Sequence, residues 1–210
     1  CEYSCTTQSL LYATTGDLMT LAAHSLTRTV DDKLVPAVTT WQIDPAHTSV
    51  VFVGRHLMVT KVRGAFSDVS GTITVGDNPL DSSVAVNIGT ASVSTGAEDR
   101  DGHLKSADFF DVENHPEMKF VSTGVRSIGD AWILDGDLTI KEVTKPVSLD
   151  FEFLGVFDDP WGNSKAAFAG STEILREDWD LTWNVALESG GLLVSKKIAI
   201  EIEVQASLAA

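Results

Sequence analysis

Beyond its fifth residue the chain contains no cysteine, and the only two are Cys1 and Cys5. A disulfide framework and a cysteine nucleophile are therefore excluded from the body of the protein. Cys1 stands where a processed bacterial lipoprotein carries its lipidated cysteine. No basic, hydrophobic leader accompanies it, and the plainer reading is a tail without consequence. Basic residues are scarce, 15 Lys+Arg against 30 Asp+Glu, for a formal charge of −15. A surface of that sign repels phosphate backbones and anionic headgroups, which argues against a nucleic-acid partner. No run approaches the roughly 20 apolar residues that a membrane-spanning helix needs. There is no internal repeat and no low-complexity block. HExxH, GxSxG, P-loop and CxxC motifs are all missing.

What the chain does have is alternation. Residues 1–40 are rich in Thr and Ser, with Leu18, Met19, Leu21 and Leu26 at a weak helical spacing. They read as an extension with one short helix over 17–26 and a linker over 31–40. After residue 40 the period changes to two. Val84, Val86 and Ile88 share one face, as do Val147, Leu149, Phe151 and Phe153, and then Ile198, Ile200, Ile202 and Val204. Met118 and Phe120, and Ala166, Phe168 and Gly170, continue the scheme. This is the apolar-in, polar-out pattern of antiparallel strands. Turn signals separate them at Gly76-Asp77-Asn78-Pro79, Asp158–Gly162 and Ser189-Gly190-Gly191, and Asp135-Gly136 gives the strongest short hairpin signal. About eight strands with one apolar face lose their edges most simply by closing into a barrel. A barrel of that size is either filled by its side chains or holds one small ligand.

One stretch interrupts the alternation. Within residues 91–111, Arg100, Asp101, His103, Leu104, Ser106, Asp108, Phe109 and Phe110 crowd into eleven residues. Such a segment is either an active site or a short helix, near 98–107, that plugs the barrel.

Several motifs stand in a specific order: Trp41–Phe52 (WQIDPAHTSVVF) followed by His56; Val62-Arg63-Gly64-Ala65-Phe66 and Gly71; Arg100-Asp101-Gly102-His103-Leu104; Pro116 and Phe120; Gly136–Lys141; Val143-Thr144-Lys145-Pro146-Val147; and Arg176, Asp178 and Trp183. The ordered set closely resembles the YceI-like family of lipocalin-like bacterial proteins over about residues 41–206, which places the domain at 41–210. The resemblance implies an all-β, closed antiparallel, lipocalin-like barrel with one inserted helix, whose apolar lumen binds polyisoprenoids or similar amphiphilic lipids. Glu142 and Asp180 depart from the pattern, each standing where the family usually has glycine.

The expected lumen residues are Val50, Phe52, Val84, Val86, Ile88, Phe120, Leu138, Ile140, Leu149, Phe151, Phe153, Phe168 and Trp183. An isoprenoid tail in such a tube gains about 0.8 kcal/mol per buried CH₂, so binding needs no catalytic group. It needs only a few polar residues at one end to orient the head. His47, Arg100, Asp101 and His103 are the candidates for that headgroup or rim role. For Arg100 and Asp101 the competing role is to pin the helix to the barrel, and for His47 it is to stabilise a turn. The expectation is a non-enzymatic carrier or sequestering protein for a prenyl pyrophosphate or quinone, with no catalytic cofactor and no metal. A homodimer is compatible with it. The cytoplasm is the default compartment, and the periplasm or secretion after processing is the alternative. Two other readings stay open: a protein-binding barrel, and a hydrolase or metal enzyme built on His47, His56, His103 and His115 among the carboxylates.

Overall fold

A computed structural model describes residues 26–129, 131–188 and 191–209. The helix expected over 17–26, apart from Leu26, lies outside them, as do Cys1, Cys5 and His24. Within the segment 31–40, expected to be a linker, Lys33–Pro36 instead form β2, which pairs in a hairpin with β1 (Thr27–Val30). Asp31 and Asp32 turn it with φ of 48° and 62°. That mirror-image turn matches strand twist, and Asp tolerates it. Polar loop residues with no hydrophobic run gave no strand signal here.

The barrel is built from β3 (Thr40–Ile43), β4 (Ser49–His56), β5 (Thr60–Phe66), β6 (Val69–Thr74), β7 (Ser83–Gly89), β8 (Val93–Ser94), β9 (Glu117–Ile128), β10 (Ala131–Ile140), β11 (Val143–Asp158), β12 (Ser164–Leu175) and β13 (Lys197–Leu208). Three pairs are halves of broken strands. β3 and β4 are separated by the 3-10 turn Pro45–His47, β5 and β6 by Ser67-Asp68, and β7 and β8 by the turn Thr90–Ser92. Counted this way, eight antiparallel strands run up and down. β13 pairs with β12 on one side and with β3 and β4 on the other, so the sheet closes on itself.

The Asp135-Gly136 pair is not a hairpin turn. It lies inside β10, at a register shift against β9. Arg126 pairs with Asp135, whose carboxylate also accepts from Ser148 Oγ at 2.5 Å. Gly136 is needed for space: a Cβ there would come 2.4 Å from the Phe120 ring and 2.8 Å from Val121 O. A glycine demanded by a close approach and one demanded by a turn look alike in sequence. The chain reverses earlier, around Gly129 (φ 59°).

The helix, α1 (Glu98–Lys105), has Glu98, Asp99 and Asp101 in its first turn and His103 and Lys105 in its last, the order that complements the helix dipole. None of its residues is fully buried, and Leu104 is the one that packs against the core. Polar contacts hold it instead. Asp101 accepts from Thr95 N at 2.7 Å, from Thr95 Oγ1 at 2.5 Å and from Ser94 Oγ at 3.2 Å. α1 and the 106–116 loop fill the seam where β8 ends before β9 begins.

The two barrel ends differ in character. At the end opposite α1, Lys33 Nζ donates to Ser127 Oγ and Gly129 O, both at 2.7 Å, and sits 4.8 Å over the Trp132 ring. Arg28 donates to the carbonyls of Gly76 and Asp77 at 2.6 and 2.7 Å. The β1–β2 hairpin is thus fastened to two turns of that end.

Candidate ligand-binding site: an apolar lumen with one polar end

The barrel is hollow. Protein interiors seldom contain voids much larger than a water molecule, yet this lumen encloses about 890 Å³. That volume lies within the range of small-molecule sites. The void explains a feature of the inward rows. Val50, Phe52, Val84, Val86, Leu138, Phe151, Phe153, Phe168 and Trp183 all point inward, yet they are only half-buried, because their exposed surface faces the cavity.

All thirteen residues expected in the lumen line this single cavity. On β4, Val50 and Phe52 pack on the core. Phe52 lies 5.7 Å from Phe66 between ring centres, and Phe153 lies 5.4 Å from Phe168. The β13 row, Ile198, Ile200, Ile202 and Val204, lines it too. Its alternation in the sequence gives that row one apolar face. Phe109 and Phe110 also line it, with Phe110 edge-on to Phe66 at 5.4 Å. Val35, Pro36, Val75 and Pro79, all buried, close the end beneath the hairpin. Val35 and Pro36 carried no such signal because their segment read as a linker.

Polar lining gathers at the α1 end. Arg55, His56, Thr60, Asp99 and Arg100 line the cavity there and are exposed, so the lumen reaches the surface at this end. His103 forms part of an aromatic cluster over the opening. Its ring stands edge-on to Trp183 at 4.5 Å and to Phe109 at 5.1 Å, and its Nε2 is 2.9 Å from Asp108 Oδ2. Arg100 Nε donates to Thr95 Oγ1 at 2.7 Å, and that hydroxyl donates onward to Asp101. Arg100 therefore both braces the helix and borders the cavity.

Two nominated residues do not border it. Asp101 points back to the 94–95 backbone as the helix anchor. Its hydrogen bonds from Thr95 and Ser94, with the nearby Arg100 charge, hold its carboxyl below the usual range. His47 is exposed on the outer side of the turn after β3, with Nδ1 3.0 Å from Asp44 Oδ2. Asp44 caps that turn through Ala46 N at 3.1 Å and pairs with Lys165 Nζ at 2.8 Å. These partners lower its pKa to about 2, the Lys165 bond first. His47 is a turn residue because Asp44, three positions earlier, claims its ring.

Arg176, after β12, is 3% exposed and also lines the cavity. Its guanidinium donates to Ser195 O at 3.0 Å and to Leu181 O, tying down the 176–196 segment. Its Nη2 is buried without a hydrogen-bond partner among the described residues. Burial pushes its pKa down. Among the described residues no three His, Cys, Asp or Glu side chains converge as a metal site, and no helix is long and apolar enough to cross a membrane.

The family model for the YceI-like domain matches residues 41–206. The chain belongs to the YceI-like family. Protein YceI of Escherichia coli O157:H7 is 40% identical over 136 residues, covering 64% of this chain and 71% of that protein. UPF0312 protein plu2095 of Photorhabdus laumondii is 38% identical over 152 residues, 71% of this chain and 79% of that one. Among solved structures, the Campylobacter jejuni YCEI protein matches with a TM-score of 0.63 at 31% identity, over 74% of this chain and 90% of that chain. A polyisoprenoid binding domain from Saccharophagus degradans matches with a TM-score of 0.60 at 13% identity, over 80% and 98% of the two chains, a likeness of fold. The two departures from the YceI-like pattern sit at turns. Asp180 has φ 57°, the conformation a glycine would supply, and Lys141 (φ 56°) precedes Glu142 between β10 and β11.

Proposed function

We propose that this YceI-like barrel carries or sequesters a polyisoprenoid or similar amphiphilic lipid, without catalysing a reaction on it. The observation that carries the reading is the lumen: about 890 Å³ of apolar space, closed beneath the β1–β2 hairpin and polar at the α1 end. The tail runs toward Val35 and Pro36, and the head rests near Arg100 and His103. A quinone supplies carbonyl acceptors to those donors, and a prenyl pyrophosphate supplies anionic oxygens that an arginine fork binds well. Each buried CH₂ contributes about 0.8 kcal/mol, so a tail of several isoprene units outweighs any one polar contact. The polyisoprenoid binding domain that shares the fold supports this ligand class. The aromatic cluster of His103, Phe109 and Trp183 shields the tail from water.

The test is uptake by the purified, delipidated protein. Added isoprenoid quinone or prenyl pyrophosphate co-elutes with the protein on size exclusion, whereas the same headgroup without its tail does not. Co-elution of the tailless headgroup alone would refute the reading.

A further inference from the structure

The hairpin joining β4 to β5 stands at the polar end of the cavity and presents an apolar tip. Leu57, Met58 and Val59 are 45%, 52% and 74% exposed. Leu57 and Met58 have φ of 51° and 62°, the left-handed region that bulky side chains avoid. Val59 N donates to His56 O at 3.1 Å across them. This mirror-image turn favours Asn-Gly or Asp-Gly. Turn closure gives no reason for Leu-Met, and core packing gives none for side chains pointing into water.

The charge of the hairpin also runs against the rest of the molecule. Residues 55–63 carry Arg55, Lys61 and Arg63 and no acid, in a chain of formal charge −15. Arg63 pairs with Glu201 at 2.6 Å, and Lys61 also influences that carboxylate. Arg55 makes no ion pair among the described residues, and its Nη1 donates to Val59 O at 3.2 Å. Across from the hairpin, α1 carries Glu98, Asp99 and Asp101 in its first turn and His103 and Lys105 in its last, with Arg100 between them, so no block of cations matches the hairpin's there. At physiological salt, charges are screened over about 8 Å, so a surface meeting the tip responds to local charge and not to the total. Arg55, His56 and Thr60, at the base of the same hairpin, line the cavity.

We propose that this tip docks the protein onto an anionic lipid bilayer. Leu57, Met58 and Val59 enter the boundary between headgroups and acyl chains, and Arg55 and Lys61 contact lipid phosphates. The hairpin, the side of the mouth with cations and an exposed apolar tip together, is the side that meets the membrane. The cavity mouth then opens against the bilayer that supplies or receives the amphiphile. This inference rests on the lipid-holding reading of the lumen. Three flexible or aliphatic side chains on a protruding turn suit a soft apolar layer, and the adjacent cations suit its phosphates.

The experiment is flotation of the full chain with phosphatidylcholine vesicles, with and without phosphatidylglycerol. Flotation is expected with the anionic vesicles and to weaken as salt rises. The double substitution L57N/M58G gives the turn its preferred residues, so the variant folds at least as stably, yet its flotation falls by about tenfold or more. R55Q/K61Q lowers flotation only on the anionic vesicles. Absence of wild-type flotation, undiminished flotation of L57N/M58G, or capture of a protein partner by the tip in place of vesicles would overturn the proposal. Lipid extracted from the same samples separates the two claims. L57N/M58G that keeps its bound lipid but no longer floats assigns docking to the tip. Wild-type protein that floats but takes up no lipid refutes the lumen reading instead.

Discussion

Gly64 lies directly beneath the Phe52 ring: a Cβ at Gly64 would come 2.3 Å from Phe52 Cζ and 2.7 Å from Thr95 Cγ2. The missing side chain therefore sets where Phe52 sits in the lumen. Both clashing atoms belong to side chains, and Phe52 has cavity space to swing into. G64A is expected to fold, with a melting temperature within a few degrees of wild type, and to bind long-tailed lipid more weakly. G136A meets Val121 O at 2.8 Å as well as the Phe120 ring. Backbone cannot swing aside, so G136A is the more destabilising, by about 1–3 kcal/mol. Thermal melts and lipid titrations of the two variants check the order.

A charge placed in the lumen should empty it without unfolding the barrel. Phe168 packs on Phe153 at 5.4 Å but is only half-buried, because the cavity lies beside it. F168D or F151D puts a carboxylate against the tail, where its desolvation opposes binding. The far-UV circular dichroism is expected to stay that of a β-barrel while retained lipid falls to background. Unchanged lipid content in either folded variant would remove that residue from the binding surface.

The anchoring of α1 predicts a local effect. Asp101 holds the helix through Thr95 and Ser94, and the helix has little apolar packing of its own. D101A is expected to speed amide exchange within residues 98–105 and to raise the lipid dissociation rate, leaving exchange in β11 and β12 unchanged. Protection in α1 equal to wild type would show that the loop packing suffices.

Acid stability reports on Asp44. Its pKa is about 2 in the folded protein, against 3.8 for an ordinary aspartate. A depressed carboxylate stabilises the fold fully above its unfolded value, and that contribution is lost as pH falls from about 4 toward 2. The linked stabilisation is about 2 kcal/mol. D44N is expected to be less stable than wild type at neutral pH, with the gap closing near pH 2 in denaturant titrations. A constant gap across that range would assign the loss to the turn cap alone.

Much of the barrel was legible because a pleated strand repeats every two residues, so Val147–Phe153 and Ile198–Val204 show their faces without tertiary information. Val84, Val86, Ile88, Leu149, Phe151, Phe153 and Phe168 share their faces by the same period, whereas Trp183 stands outside any alternating row and was marked only by the family pattern. Hollowness was not legible, since a row of Phe, Val and Ala reads alike whether it meets another row or empty space. Asp135-Gly136 misled because the residue that needs that glycine, Phe120, lies on the neighbouring strand. The β1–β2 hairpin gave too little alternation to stand out from polar loop sequence. Arg100, Asp101 and His103 lie within four residues, yet a short helix turns one toward its own backbone, one to the cavity edge and one into an aromatic cluster. Composition carries no trace of that division.

The most direct test of the account is native mass spectrometry of the purified full chain, followed by organic extraction of whatever it releases. The lumen predicts a co-purifying species of prenyl-like mass that leaves on denaturation, or stoichiometric uptake of added isoprenoid quinone or prenyl pyrophosphate by protein isolated empty. A clean ligand-free mass with no uptake of either would contradict it, leaving about 890 Å³ of apolar space to be explained by something other than a lipid.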